Sequence, residues 1–83
     1  MKALKFYATW CAPCKSLSTI IEGAADRITI PIEEVDIDNN MDLAIQYGVR
    51  SVPVLVLLDD TGVEIKRHNG VLMEDKLLDF LQG

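Results

Sequence analysis

The sequence predicts an α/β domain with the element order βαβαββα, on three observations. Apolar residues recur with a period of two in some segments and near 3.6 in others, and the two kinds alternate along the chain. The run "VPVLVLL" (52–58) is apolar almost throughout, as a strand covered on both faces must be, which calls for helices on both sides of the sheet. With 83 residues, 49% of them hydrophobic, the chain has material for one core and is read as a single domain over 1–83.

The first strand is "ALKFYA" (3–8). Pro13 follows where a helix can begin, because the first turn has no use for the N–H that proline lacks. Leu17, Ile20, Ile21 and Ala24 then recur at helical spacing, giving a helix over about 12–25 with one buried stripe. "IEEVDID" (32–38) is the second strand; Pro31 at its start cannot donate to a ladder, which places this strand at an edge of the sheet. A short helix over about 40–47 is capped by Asn39 or Asn40 and stopped by Gly48.

After the strand at 52–58, "DDTG" (59–62) is a turn and "VEIKRH" (63–68) a last strand. Met73, Leu77, Phe80 and Leu81 mark a final helix. The first half is thus a parallel crossover unit, expected to be right-handed, and the second a hairpin backed by a helix.

Charge excludes some function classes. The net charge is -5, and the Lys and Arg residues are scattered, so no phosphate-binding surface and no nucleic-acid partner is expected. No apolar run reaches the ~18 residues of a membrane span, so no membrane association is expected. The opening "MKALKFYATW" lacks the apolar core and cleavage site of a signal peptide, which points to the cytoplasm.

In that compartment structural disulfides are rare, so the close pair Cys11 and Cys14 in "TWCAPCK" (9–15) points to catalysis or metal binding ahead of a staple. The pair falls at the end of the first strand and on the first turn of the next helix. Unpaired backbone N–H groups and the helix dipole there favour an anion, and hence a thiolate at Cys11. Cys14, one turn on, stays within reach to resolve a mixed disulfide, and Pro13 stiffens the spacer. Zinc would need four ligands, and beyond the two cysteines the chain offers only the remote His68, so no metal and no cofactor is expected. His68 reads as a solvated strand residue, and Glu33, Glu34, Asp36 and Asp38 as an acidic edge that discourages strand pairing.

The whole chain resembles the thioredoxin family, in particular its short members among viral and archaeal proteins that lack the usual first strand and helix. The resemblance rests on "WCAPCK" (10–15), "VDID" (35–38), "YGVRSVPVLVLL" (47–58), the "TG" turn (61–62) and Gly70. It implies the thioredoxin fold: a four-stranded mixed sheet in the order 2-1-3-4 with helices on both faces. It also implies a thiol-disulfide oxidoreductase in which Cys11 is the nucleophile, Cys14 resolves, and a cis Pro53 packs against the pair. Trp10, Ala12, Val52, Pro53 and Gly70 would then form the docking surface for a protein substrate, with the backbone of Val52 pairing to its chain. The partners implied are disulfide-containing proteins and an electron donor of the thioredoxin-reductase type, met by a monomer.

Several positions depart from the family pattern. Ala12 stands in place of a glycine, Tyr7 in place of a second tryptophan and Thr19 in place of a helix-kinking proline. Lys5 occupies the place of a buried aspartate, and Glu34 that of its lysine neighbour. The expectation is that the two meet beneath the CxxC, where Glu34, directly or through water, accepts the Cys14 proton while Lys5 keeps it ionised. The alternative is a rim salt bridge worth ~0 to 1 kcal/mol. Two other functions fit the sequence: a glutathione-linked, glutaredoxin-like reductase, against which stands CAPC in place of CPYC, and a binding subunit that acts independently of its thiols.

Overall fold

A computed structural model describes residues Met1–Gly83. Strands β1 (Lys2–Tyr7), β2 (Ile32–Asp36), β3 (Val54–Leu58) and β4 (Glu64–Asn69) form one sheet in the order β2-β1-β3-β4. Strand β1 runs parallel to β2 and antiparallel to β3, and β3 is antiparallel to β4. Helices α1 (Ala12–Gly23), α2 (Met41–Gln46) and α3 (Glu74–Leu81) complete the order βαβαββα, with a 3-10 turn at Ala25–Arg27 after α1.

The alternation of side chains along β1 divides the core in two. Ala3 faces α1 and α3, joining Leu17, Leu55, Leu57, Leu77 and Leu81 in one cluster. Leu4 and Phe6 face the other way and meet Val35, Val54, Val56 and Leu58, with Leu43 and Tyr47 of the α2 segment packed over them. Every residue of β3 is buried, as its unbroken apolar run requires. Strand β2 lies at the edge that Pro31 marked.

The elements differ from the sequence expectations mainly at their ends. Strand β2 stops at Asp36, not 38, because Asp36 turns the chain: its carboxylate accepts from the Asp38 N–H at 2.9 Å and its carbonyl from Asn40 Nδ2 at 3.0 Å. Asn40 is the N-cap of α2, yet its side chain is spent on that turn and caps nothing. Helix α1 ends at Gly23, and the segment to 27 tightens into the 3-10 turn. Strand β3 begins after Pro53, which has no N–H to give. Met73 is an exposed N-cap outside the apolar stripe of α3, where Leu77 and Leu81 are buried. Gly48 and Gly62 hold φ of 65° and 85°, values that allow the stop of α2 and the turn before β4.

Candidate active site at the start of α1

Cys11 is the N-cap of α1, with extended backbone at φ -97° and ψ 110°, and Pro13 occupies the first turn. Its sulfur accepts from the Cys14 N–H at 3.1 Å, so one of the unpaired donors of the helix start points at it. The two sulfurs are bonded, with Cα atoms 5.3 Å apart. Cys11 is 5% exposed and Cys14 2%, so burial alone does not separate them. What separates them is position: Cys11 sits on the helix end between exposed Trp10 and Ala12, and Cys14 lies one turn inside.

The chain returns to this end of the molecule three times. The Val52–Pro53 peptide is cis, and the Val52 carbonyl oxygen lies 3.7 Å from Cys11 Sγ. The Gly70 N–H donates to the Pro53 carbonyl at 2.8 Å, with φ of 99° at Gly70. Trp10 is 69% exposed, and its indole N–H donates to Asp38 Oδ2 at 3.0 Å. Ala12 is exposed, Val52 half-buried and Pro53 buried. Asp38 belongs to the acidic stretch that the sequence presents as a solvated edge; its contact with Trp10 spans 28 residues and leaves no local trace in the sequence.

Lys5 is 1% exposed, the only charged residue so enclosed. Its register partner on β2 is Glu34, and the ammonium lies 3.2 Å from that carboxylate. Glu34 itself is 52% exposed, so the pair is buried at one end only. The ammonium also donates to the hydroxyl of Ser18 on α1 and lies 5.6 Å from the Tyr7 ring centroid. Ser18 and Cys14, with Tyr7, Ala8, Thr9 and Lys15, line an open cleft of about 260 Å³. Glu34 does not line it. Ser18 carries no mark in the sequence beyond its spacing of four from Cys14, which puts both on one helix face. His68 is half-buried, in register with Leu55. No three His, Cys, Asp or Glu side chains converge as a set that could hold a metal ion, and no helix is long and apolar enough to cross a membrane.

A protein-family model described as Thioredoxin matches residues 2–83. Among curated proteins, the chain is 39% identical over 79 residues to a thioredoxin of Chlamydia trachomatis, covering 94% of this chain and 76% of that one. It is 36% identical over 79 residues to a thioredoxin of Mycoplasma genitalium, covering 94% and 76%. Among solved structures, a mutant thioredoxin from Halobacterium salinarum superposes with a TM-score of 0.89 at 38% identity, covering 98% of this chain and 71% of that one.

Proposed function

The chain belongs to the thioredoxin family and is a protein disulfide oxidoreductase with a Cys11–Cys14 pair, and from that premise we propose how its residues divide the work. Cys11 is the nucleophile. The observation that carries this is its place as the N-cap of α1, with the Cys14 N–H aimed at its sulfur, where a thiolate gains a hydrogen bond and the helix dipole together.

In the reduced protein the Cys11 thiolate attacks one sulfur of a substrate disulfide, forming a mixed disulfide and releasing the first substrate thiolate. The Cys14 sulfur then attacks Cys11 Sγ; the Cys11–Cys14 bond forms, the bond to the substrate breaks, and its electron pair leaves on the second substrate sulfur. Two electrons from a reductase of the thioredoxin-reductase type return the pair to the dithiol, which makes the protein an electron carrier. Trp10, Ala12, Val52, Pro53 and Gly70 form the docking surface, on which the free carbonyl of Val52 pairs with the backbone of the substrate. The protein acts as a cytoplasmic monomer.

Reduction of insulin disulfides tests the reading. Turnover is expected with a thioredoxin reductase and NADPH, and none after Cys11→Ser. Turnover driven by glutathione alone would place the protein with the glutaredoxins. A cellular role that survives replacement of both cysteines by serine would make it a binding subunit.

A further inference from the structure

A buried lysine beneath the active-site helix is costly, since an ammonium taken out of water needs compensation. Lys5 has two partners, the half-exposed Glu34 carboxylate and the Ser18 hydroxyl. A serine hydroxyl offers one proton and two lone pairs. Lys5 occupies a lone pair of Ser18, which leaves that proton to be donated elsewhere. Its neighbours on α1 turn theirs back on the helix: Ser16 Oγ donates to the Ala12 carbonyl at 3.4 Å and Thr19 Oγ1 to the Lys15 carbonyl at 3.1 Å. Ser18 makes no such bond, and it opens instead on the cleft it shares with Cys14.

We propose that Lys5 and Ser18 form a cationic relay under α1, in which the lysine polarises the Ser18 hydroxyl and that hydroxyl stabilises the anionic sulfur of Cys14 as it resolves the mixed disulfide. The relay rests on the thiol-disulfide reading above and adds a positioning residue, Lys5, acting through Ser18. In the step it serves, Cys14 gives up its proton to solvent and its sulfur attacks Cys11 Sγ. The bond from Cys11 to the substrate breaks, and the substrate sulfur leaves with the electron pair. Cys14 is buried and loses the hydration a thiolate needs, so a polarised donor has most effect there. Glu34 has the opposite influence, because its negative charge offsets part of the ammonium's.

The other titratable groups around the relay are Tyr7 and Lys15 on the cleft wall, Cys11 itself, and Asp36, which shares the face of Glu34 on β2 and is in register with Tyr7. Strand β3 presents only Leu55 in register with Lys5, with His68 beyond it on β4, and α3 turns Leu77 and Leu81 to this face.

Rapid mixing of the reduced protein with a chromophoric aryl disulfide reads both cysteines, because the coloured thiolate is released first when Cys11 attacks and again when Cys14 resolves. Lys5→Met and Ser18→Ala are each expected to move the pH profile of the second release upward by about one unit, slowing it roughly tenfold at neutral pH. The first release keeps its profile, which a general structural disturbance would not allow. The double variant goes no further than either single one, and Glu34→Gln moves the second profile the other way. Ser18→Ala, at a half-buried position, carries the test even if Lys5→Met does not fold. The relay is overturned by an unmoved second profile, by a larger shift from Lys15→Met than from Lys5→Met, or by slower resolution in Glu34→Gln, which would make Glu34 the proton acceptor. An unmodified protein with no second release would instead defeat the dithiol reading itself.

Discussion

The sulfur of Cys11 lies 3.7 Å from the carbonyl oxygen of Val52, a residue 41 positions further along the chain. That carbonyl precedes a proline, belongs to no strand, and is therefore free to accept from a peptide laid beside the reactive sulfur. Exposed Trp10 flanks the same spot. Trp10→Ala should lower kcat/KM for a protein disulfide about tenfold, in the range for loss of one aromatic anchor, and leave reduction of a small aryl disulfide nearly unchanged. Equal losses on both substrates would place Trp10 in the chemistry and remove it from docking.

Brief alkylation of the reduced protein at neutral pH should modify Cys11 and largely spare Cys14. The asymmetry comes from the helix end, since the two cysteines are almost equally enclosed in the oxidised pair. Peptide mapping decides it, and equal labelling would contradict the assignment of the nucleophile.

Leu77 is fully enclosed among Ala3, Leu17, Leu55, Leu57 and Leu81, where α3 closes the core over α1 and the sheet. Leu77→Ala should cost about 2 to 5 kcal/mol, from lost transfer energy and the cavity left behind. Urea denaturation followed by circular dichroism gives the value; a loss near zero would mean that α3 contributes little to the core.

The turn between β3 and β4 should respond to acid. The Thr61 hydroxyl, followed by the N–H of Val63 and the backbone at Thr61 and Gly62, holds the Asp59 carboxyl below the usual carboxylate range. A carboxyl whose folded value is depressed stabilises the fold above its unfolded value, near 4, and that contribution fades as pH falls through the lower folded value. Stability should therefore decline on acidification, and Asp59→Asn should remove this part of the decline while destabilising the protein at neutral pH. Denaturation at pH 7 and near pH 3 supplies the comparison. A variant whose acid sensitivity matches that of the parent would show that the turn contributes nothing.

Most of the fold was legible because one signal, the spacing of apolar residues, reports directly on which face each element buries. Leu17 and Leu77 followed from helical spacing, the edge position of β2 from Pro31, and the burial of β3 from its unbroken apolar run. The ends were harder, since β2 stops where the side chain of Asp36 captures the backbone, a competition between turn and ladder that periodicity does not record. In the site, Cys11 and Cys14 declare themselves by spacing, and Lys5 meets Glu34 as strand parity and parallel pairing required. Ser18 and Asp38 stayed hidden for a different reason. Their parts depend on Lys5 and Trp10, which are distant in the chain, and neither residue type is unusual where it stands.

The hydrogen bond from Gly70 to Pro53 gives the surface around Cys11 a particular kind of cooperativity. One wall comes from the first strand-helix junction, another from the middle of the chain, and a third from the connection that leads into α3. No contiguous fragment holds all three, so the docking surface proposed above is a property of the closed chain and not of the CxxC segment. A peptide carrying only that segment could still undergo thiol exchange but would choose among its targets by thiol reactivity alone. On that proposal, selectivity for protein disulfides doubles as a report on whether the last helix is in place: partial unfolding near the C-terminus should blunt discrimination between substrates before it abolishes electron transfer.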